Sequence, residues 1–384
     1  MAQKKFKMDI WLVTTLILLV LYGIFLLYPM GNLFKMAFSD GTHFTLEHFV
    51  TFFTRPYYTS TIVNSVKVSV AATVISLAVG VIMGYLFSVF EIKLAKVMRM
   101  CIILATMSAP FVGAYAWILL LGRSGAITTF LKGLFPSLEI PSIYGFGGIL
   151  LVFTTQLFPL VFLYITGAMG KMDNSLMEAS ENMGCKGLSR FFKVVVPLIM
   201  PSILASGLLV FIRALSDFGT PLLLGEGYRT FPVILYNEFV GEVSQNKGFA
   251  SAVAIVAIVI TCAIYIVQNI ATTKTSFAMS ALNPVPKRKL KGLPAVIVHL
   301  FIYIVVGISI LPQVYVAYCS FRNTSGQIYT EGYSLDSYRE MFTKLGNCVV
   351  NTIRLPVISL AIILVLAVII AYTSVRRRNL LTGA

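Results

Sequence analysis

The sequence predicts an all-α polytopic membrane protein, a bundle of about eight transmembrane helices with its N-terminus in the cytoplasm. Three observations carry this reading. Of the 384 residues, 58% are hydrophobic and only 12% are charged, against about 45–50% and about 25% in soluble domains. The mean hydropathy is +0.87. Apolar windows long enough to cross a hydrocarbon core of about 30 Å, which takes about 20 helical residues, recur along the chain. Finally, Lys and Arg gather on alternate connecting segments.

The apolar windows fall at 10–34, 61–90, 100–122, 148–170, 198–224, 250–270, 294–317 and 349–375. The first ends in "YPMGNLFKMAF", which offers no small-x-small cleavage site, so it reads as a span rather than a cleaved leader. Eighteen of the 30 basic residues lie in segments that share one side if the N-terminus is cytoplasmic. These are Lys4, Lys5 and Lys7, then Lys93, Lys96 and Arg99, then Lys171, Lys186, Arg190 and Lys193. Lys274, Lys287, Arg288, Lys289 and Lys291 follow, and Arg376, Arg377 and Arg378 close the set. The bias places 171–196 and 274–291 inside, and 36–60, 123–147 and 225–249 outside. The net charge of +15 is therefore a topology signal, and no nucleic-acid partner is expected.

An internal duplication organises the chain. "VNSVKVSVAATVISLAVGVIMGY" at 63–85 lies over "VNTIRLPVISLAIILVLAVIIAY" at 350–372, an offset of 287 residues that aligns Asn64 with Asn351 and Lys67 with Arg354. Upstream, "TLEHF" before "FFT" parallels "SLDSY" before "MFT", and Pro29 with Phe38 parallels Pro312 with Phe321. The domains read as a first half at 1–275 with six spans, a cytoplasmic linker at 276–293, and a partial second half at 294–384 with two spans. By that offset Ala384 corresponds to Val97. The two spans of the second copy are thus expected to lack the four neighbours their counterparts have.

Between the fourth and fifth spans stands "MEASENMGCKGLSRFFKVVVPLIMPS", residues 177–202. Periodicity puts Leu176, Ala179, Ser180 and Met183 on one face of a short helix, and Gly184 permits a turn at positive φ. In a second short helix Leu188, Phe191, Phe192 and Val195 form an apolar face, with Lys186, Arg190 and Lys193 toward water or lipid headgroups. Pro197 and Pro201 suit the start of the next span. Periodicity alone fits an interfacial helix that merely turns the chain.

The residues narrow the reading. Glu178-Ala179-Ser180, three residues, Gly184, nine residues, then Val194-x-Val196-Pro197 resembles the EAA loop of binding-protein-dependent ABC importer permeases, commonly written EAA-x3-G-x9-I-x-L-P. Ser180 replaces an Ala, and Val194 and Val196 replace Ile and Leu. "LSDFGTPLLLGEGYRTFPVILYNEF" at 215–239 resembles the corresponding segment of the iron(III)-type fused permeases. The resemblance implies a type I ABC importer permease fold, and a coupling loop that docks into a groove on a separate ABC ATPase dimer. It also implies an extracytoplasmic solute-binding protein, a location in the bacterial inner membrane among its lipids, and a second permease half. Two coupling loops serve two ATPase subunits in that family, and this stretch supplies one. ATP and Mg are expected in the partner, since G-x-x-x-x-G-K-[ST] occurs nowhere in the sequence.

Enzyme chemistry is not expected of the chain itself. No Ser/His/Asp arrangement or H-E-x-x-H occurs, and the histidines His43, His48 and His299 read as solvated or interfacial. The cysteines Cys101, Cys185, Cys262, Cys319 and Cys348 have no metal-ligand spacing. Cys319 and Cys348 both fall near the outer side, and spacing leaves their pairing open.

Polar residues inside spans are costly in hydrocarbon and mark candidate solute paths. Here they are Asn64, Gln156, and Arg213 with Asp217, which stand one turn apart and are expected to neutralise each other. An ion-coupled secondary transporter or channel is the competing class, and it would show interrupted helices meeting at the midplane without a docking loop.

Cys185 supplies a native probe of the topology. Impermeant thiol reagents are expected to miss it in intact cells and to label it in inverted vesicles.

Overall fold

The computed structural model describes residues 10–39, 43–137, 139–240, 246–275, 285–325 and 328–376. The predicted lysines Lys4, Lys5 and Lys7, residues 276–284 of the linker, and Arg377 and Arg378 lie outside the described residues. Among the described residues, eight helical segments are long and apolar enough to span a membrane. Helices α1 (Ile10–Tyr22) and α2 (Tyr28–Ala37) join through one wide π turn. A short α3 (Glu47–Thr54) leads into α4 (Pro56–Val89), and α5 (Ala95–Thr106), α6 (Pro110–Leu121) and α7 (Ala126–Leu134) follow. Next come α8 (Phe146–Met169), the short α9 (Asn174–Asn182) and α10 (Gly187–Arg190), then α11 (Val196–Ser216). The chain continues through α12 (Gly219–Leu224), α13 (Phe231–Val240), α14 (Lys247–Thr275) and α15 (Leu293–Ser320). A hairpin of β1 (Arg322–Ser325) and β2 (Ile328–Tyr333) precedes α16 (Asp336–Arg376).

Two predicted spans are broken rather than continuous. The 100–122 window splits at 107–109, because Pro110 has no N–H and drives Ala109 into extended geometry at φ −62° and ψ 141°. The 198–224 window ends at Ser216. There Asp217 is extended, and its carboxylate accepts from the Thr220 backbone N–H at 2.8 Å, starting α12 instead of continuing α11.

Residues 45–317 form one compact unit. Its centre is α4 against α8 and α11. Apolar attraction between helices is weak in lipid, so close van der Waals packing through small residues must supply the cohesion. On α4 the buried Ser65, Ser69, Ala72, Ser76, Gly80 and Gly84 recur at three- and four-residue spacing and form one small-residue stripe. A β-carbon on Gly80 would lie 2.5 Å from Val161 Cβ, and one on Gly84 would lie 2.6 Å from Ile165. Below this contact Phe87 and Phe162 pack edge to face, with ring centroids 5.1 Å apart.

The first span of the segment read as a second copy finds neighbours in the first. Ile302 and Val306 of α15 are buried in a cluster with Met83, Phe87, Ile102, Phe158 and Phe162, so α15 finds its neighbours on α4, α5 and α8 of the first copy. Gln313 adds a hydrogen bond to the Ala105 carbonyl at 3.5 Å. Packing joins most of α15 to helices of the 45–275 segment, across the boundary expected at 276–293.

The second unit comprises residues 1–44 and 318–384. Within it α1 lies against α16, and the hairpin is tied back by the Ser334 N–H to the Phe321 carbonyl at 2.9 Å and by a Ser320–Tyr338 hydroxyl contact at 2.7 Å. Cys319 is buried and Cys348 exposed, and both are free thiols. The duplication has a local signature in both units. Before each long span a short helix ends in a bend, at Arg55 ahead of Pro56 and at Leu345, which has φ −119° and ψ 16°.

Gly80→Leu or Gly84→Leu should force α4 from α8 and cost about 1–3 kcal/mol by overpacking, read as a lower melting temperature in detergent. Gly167→Leu on the open face of α8, where a β-carbon meets nothing, should leave the melting temperature unchanged.

Candidate coupling loop and membrane pathway

The loop after α8 begins at Asp173, whose carboxylate accepts from the Ser175 N–H at 2.9 Å and caps α9. Asn174 donates to Glu178 at 2.6 Å across one turn. Gly184 has φ +81°, as its place in the motif requires, and Gly187 has φ +57°. From Phe191 to Val195 the backbone makes one π turn and runs on into α11. Pro197 follows directly, and a proline ring crowds the carbonyl four residues back, which favours a widened turn ahead of it. Val194 is half-buried and Val195 fully buried, and Val196 and Pro197 open α11.

The loop's faces differ from the periodic reading. Met177 and Ser180 are buried against the bundle, while Leu176, Glu178, Ala179 and Met183 are exposed. In the second helix Phe191 and Val195 turn inward, but Leu188 and Phe192 are 77% and 64% exposed. The four residues expected to share one apolar face are thus divided, two turned toward the bundle and two away from it. Arg190, expected in water, is buried, with its side chain 9% exposed and hydrogen-bonded to Glu181 at 3.1 Å. Tertiary packing made this exchange: burying one face of α9 left Glu181 positioned to neutralise a cation between the two short helices.

Glu181 is the residue that sequence reasoning missed. Its Oε2 accepts from Arg190 Nη1 and also from Arg288 Nη2 at 3.0 Å. The Arg288 hydrogen bond and charge hold the Glu181 carboxyl below the usual carboxylate range. Its ionised form is thus favoured in the folded state. The contact is complete above the ordinary carboxylate pKa and is lost as pH falls through the lowered value. The sequence showed basic residues in both loop and linker, but spacing could not show that residues 107 positions apart meet.

The polar residues inside the spans separate into different roles. Asn64 donates from Nδ2 to the Arg229 carbonyl at 3.1 Å, and its own carbonyl accepts from the Tyr228 hydroxyl at 2.8 Å. With Ser65 accepting from the Phe231 N–H at 2.8 Å, it pins the 225–231 loop to the head of α4. Arg229 lies over the Tyr57 ring at 4.8 Å. Arg123 pairs with Glu226, gathering the outer loops at that end. Gln156 sits directly against Gly113 of α6, so closely that a β-carbon there would collide with its amide. Arg213 is exposed and does not pair with Asp217, correcting the expected neutralisation, because α11 ends at Ser216 and the extended Asp217 no longer stands one helical turn from Arg213. The two broken spans meet: Gly219 lies against Pro110 and Phe111, and the Phe111 and Phe218 rings pack edge to face at 5.7 Å.

Comparison with known proteins sets this geometry in a family. Residues 76–276, which include α8, the whole loop and α11, match the profile of the binding-protein-dependent transport system inner membrane component. The chain belongs to that family. Among curated relatives of this permease family, the ferric transport system permease protein FbpB of Actinobacillus pleuropneumoniae is 26% identical over 381 residues, covering 97% of this chain and 54% of that protein. The spermidine/putrescine transport system permease protein PotB of Haemophilus influenzae is 30% identical over 243 residues, covering 60% of this chain and 83% of PotB. The chain spans about half the length of the ferric permeases it matches, 40% of one and 54% of another. In fold it resembles a chain of a bacterial ABC transporter involved in alginate import, with TM-score 0.59, 16% identity, and coverage of 70% of this chain and 96% of that one. A multi-pass inner-membrane location follows from the family and from the eight apolar segments.

Glu181→Leu should leave the buried Arg190 guanidinium unpaired and cost about 1–3 kcal/mol, read as a lower melting temperature in detergent. Adding Arg190→Met should restore most of the loss, since the stranded charge is then gone.

Proposed function

We propose that this chain forms the solute pathway and one ATPase-coupling site of an ABC importer, drawing its energy from a separate ATPase dimer and its solute from an external binding protein. The observation that carries the reading is the outward apolar face of the 174–196 loop. Leu176, Met183, Leu188 and Phe192 are 42%, 77%, 77% and 64% exposed, and they flank the exposed Glu178 and Ala179. A loop that merely turned the chain would bury such side chains or carry polar ones. A cluster of this kind beyond the end of a span is a docking surface. Glu178 supplies the carboxylate for a basic groove, Ala179 the close approach, and Ser180 the inner anchor of the helix.

The pathway runs past the junction of the broken spans, where Gln156, Asp217, Phe111 and Phe218 converge. Interrupted helices that meet also suit an ion-coupled secondary transporter, but such a carrier has no use for the outward apolar loop. Iron(III) is the leading cargo, on the resemblance of residues 215–239 and the ferric permeases among the relatives. A PotB relative keeps polyamines among the alternatives.

Gly184→Val, which strains a turn at φ +81°, and Glu178→Lys, which reverses the docking charge, should each lower solute uptake about tenfold or more while protein in the membrane stays constant. The measurement is uptake of ferric ion, presented on the binding protein, by the complete transporter. Normal uptake by both variants would return the loop to the status of an interfacial turn.

A further inference from the structure

Arg288 lies in the segment that joins the two copies, a place the coupling motif does not reach. Its backbone is fixed on both sides. The Arg288 N–H donates to the Val89 carbonyl at 2.8 Å, and the Glu91 N–H donates to the Arg288 carbonyl at 3.1 Å, so the linker pairs like a short parallel strand with the end of α4. Lys289 stands 3.9 Å from the Glu91 carboxylate, and Val285 packs on the main core. Downstream, Gly292 turns the chain at φ +69° into α15. There His299 Nε2 accepts from the Lys93 N–H at 3.2 Å, and the Tyr303 hydroxyl donates to the Lys93 carbonyl at 3.2 Å. The Arg288 side chain leaves this fixed segment and reaches Glu181 at the end of α9.

We infer that Arg288 is a positioning residue for the coupling loop: through Glu181 it clamps α9 to the end of α4 and to the start of α15, setting the angle at which the docking face is presented. This rests on the docking reading of the loop. An ordinary exposed ion pair contributes little, because two long side chains must be immobilised in high dielectric. Here the Arg288 backbone is already immobilised by its bonds to α4, and Glu181 by the buried Arg190, so closing the contact orders one side chain instead of two. The consequence is mechanical. Beside the apolar contacts of Met177 with the core and of Phe191 with Tyr85 of α4, the Glu181 carboxylate gives a push on α9 a polar route to the end of α4 and to the segment that leads into α15. The loop's own covalent ends lead only to α8 and α11.

The test uses the full permease containing this chain, with hydrogen–deuterium exchange over residues 174–186 and capture of its purified ATPase as readouts. Arg288→Ala should speed exchange in α9 and weaken ATPase capture about threefold to tenfold, with protein in the membrane unchanged. Arg288→Lys, which keeps the charge, should recover part of both. In a Glu181→Gln background Arg288→Ala should add nothing, as expected of two residues acting through one contact. Unchanged exchange in Arg288→Ala overturns the inference. So does faster exchange with normal capture when Gly184→Val weakens capture. If exchange quickens and Gly184→Val also leaves capture intact, the clamp stands and the docking reading fails.

Discussion

The close approach of α4 and α8 is the constraint on which the rest of the 45–317 unit depends. In lipid no solvent drives two greasy helices together, so their cohesion comes from how near the backbones can come. The stripe from Ser65 to Gly84 permits that nearness, with Gly80 and Gly84 leaving no room for a β-carbon against Val161 and Ile165. Once α4 and α8 are locked, the faces they leave open take α11 on one side and α5 and α15 on another. The ends of α4 then become the fixed points of the molecule. Its head holds the 225–231 loop through Asn64 and Ser65, and its tail holds the linker through Val89 and Glu91.

This arrangement explains why two of the spans can be interrupted. A break in a membrane helix strands backbone polar groups, which is tolerable only where protein or water satisfies them. The break before Pro110 and the break at Asp217 satisfy each other's neighbourhood: Asp217 caps α12, and Gly219 lets the start of α6 pack directly upon it. Asp217 begins a new helix instead of continuing α11, and so it does not stand one turn from Arg213. The breaks are confined to these two helices, while α4 and α8 remain continuous as the frame.

At the opposite end the loop between α8 and α11 shows how burial and exposure divide a short segment between stability and work. Met177, Ser180, Phe191 and Val195 face the bundle, and Arg190 is drawn in beneath Glu181. What remains outside, Leu176, Met183, Leu188 and Phe192 beside Glu178, is apolar surface with no neighbour among the described residues of the unit to cover it. Conformation at φ > 0 in Gly184 and Gly187 separates the two short helices, so the inner contacts hold the loop while its outer face is left clear.

Sequence alone determined the class and the spans, because both are written in local pattern: apolar length for the spans, and a short run of glutamate, small residues and a glycine at a fixed distance for the family. It also singled out Asp217, though not that α11 stops before it, and it passed over Pro110, since a window average does not register a single missing N–H. The tertiary structure alone decided which face of each short helix is buried. Periodicity yields a stripe, and only packing partners decide whether that stripe looks inward, as for Phe191, or outward, as for Phe192. Packing likewise gave α15 to the first copy, whose helices α4, α5 and α8 offer the matching surface. The union of Glu181, Arg190 and Arg288 belongs to the same category. It joins carboxylate and guanidinium groups 9 and 107 residues apart, and nothing in a linear pattern specifies a contact that forms only after α4 and α8 have brought their ends together.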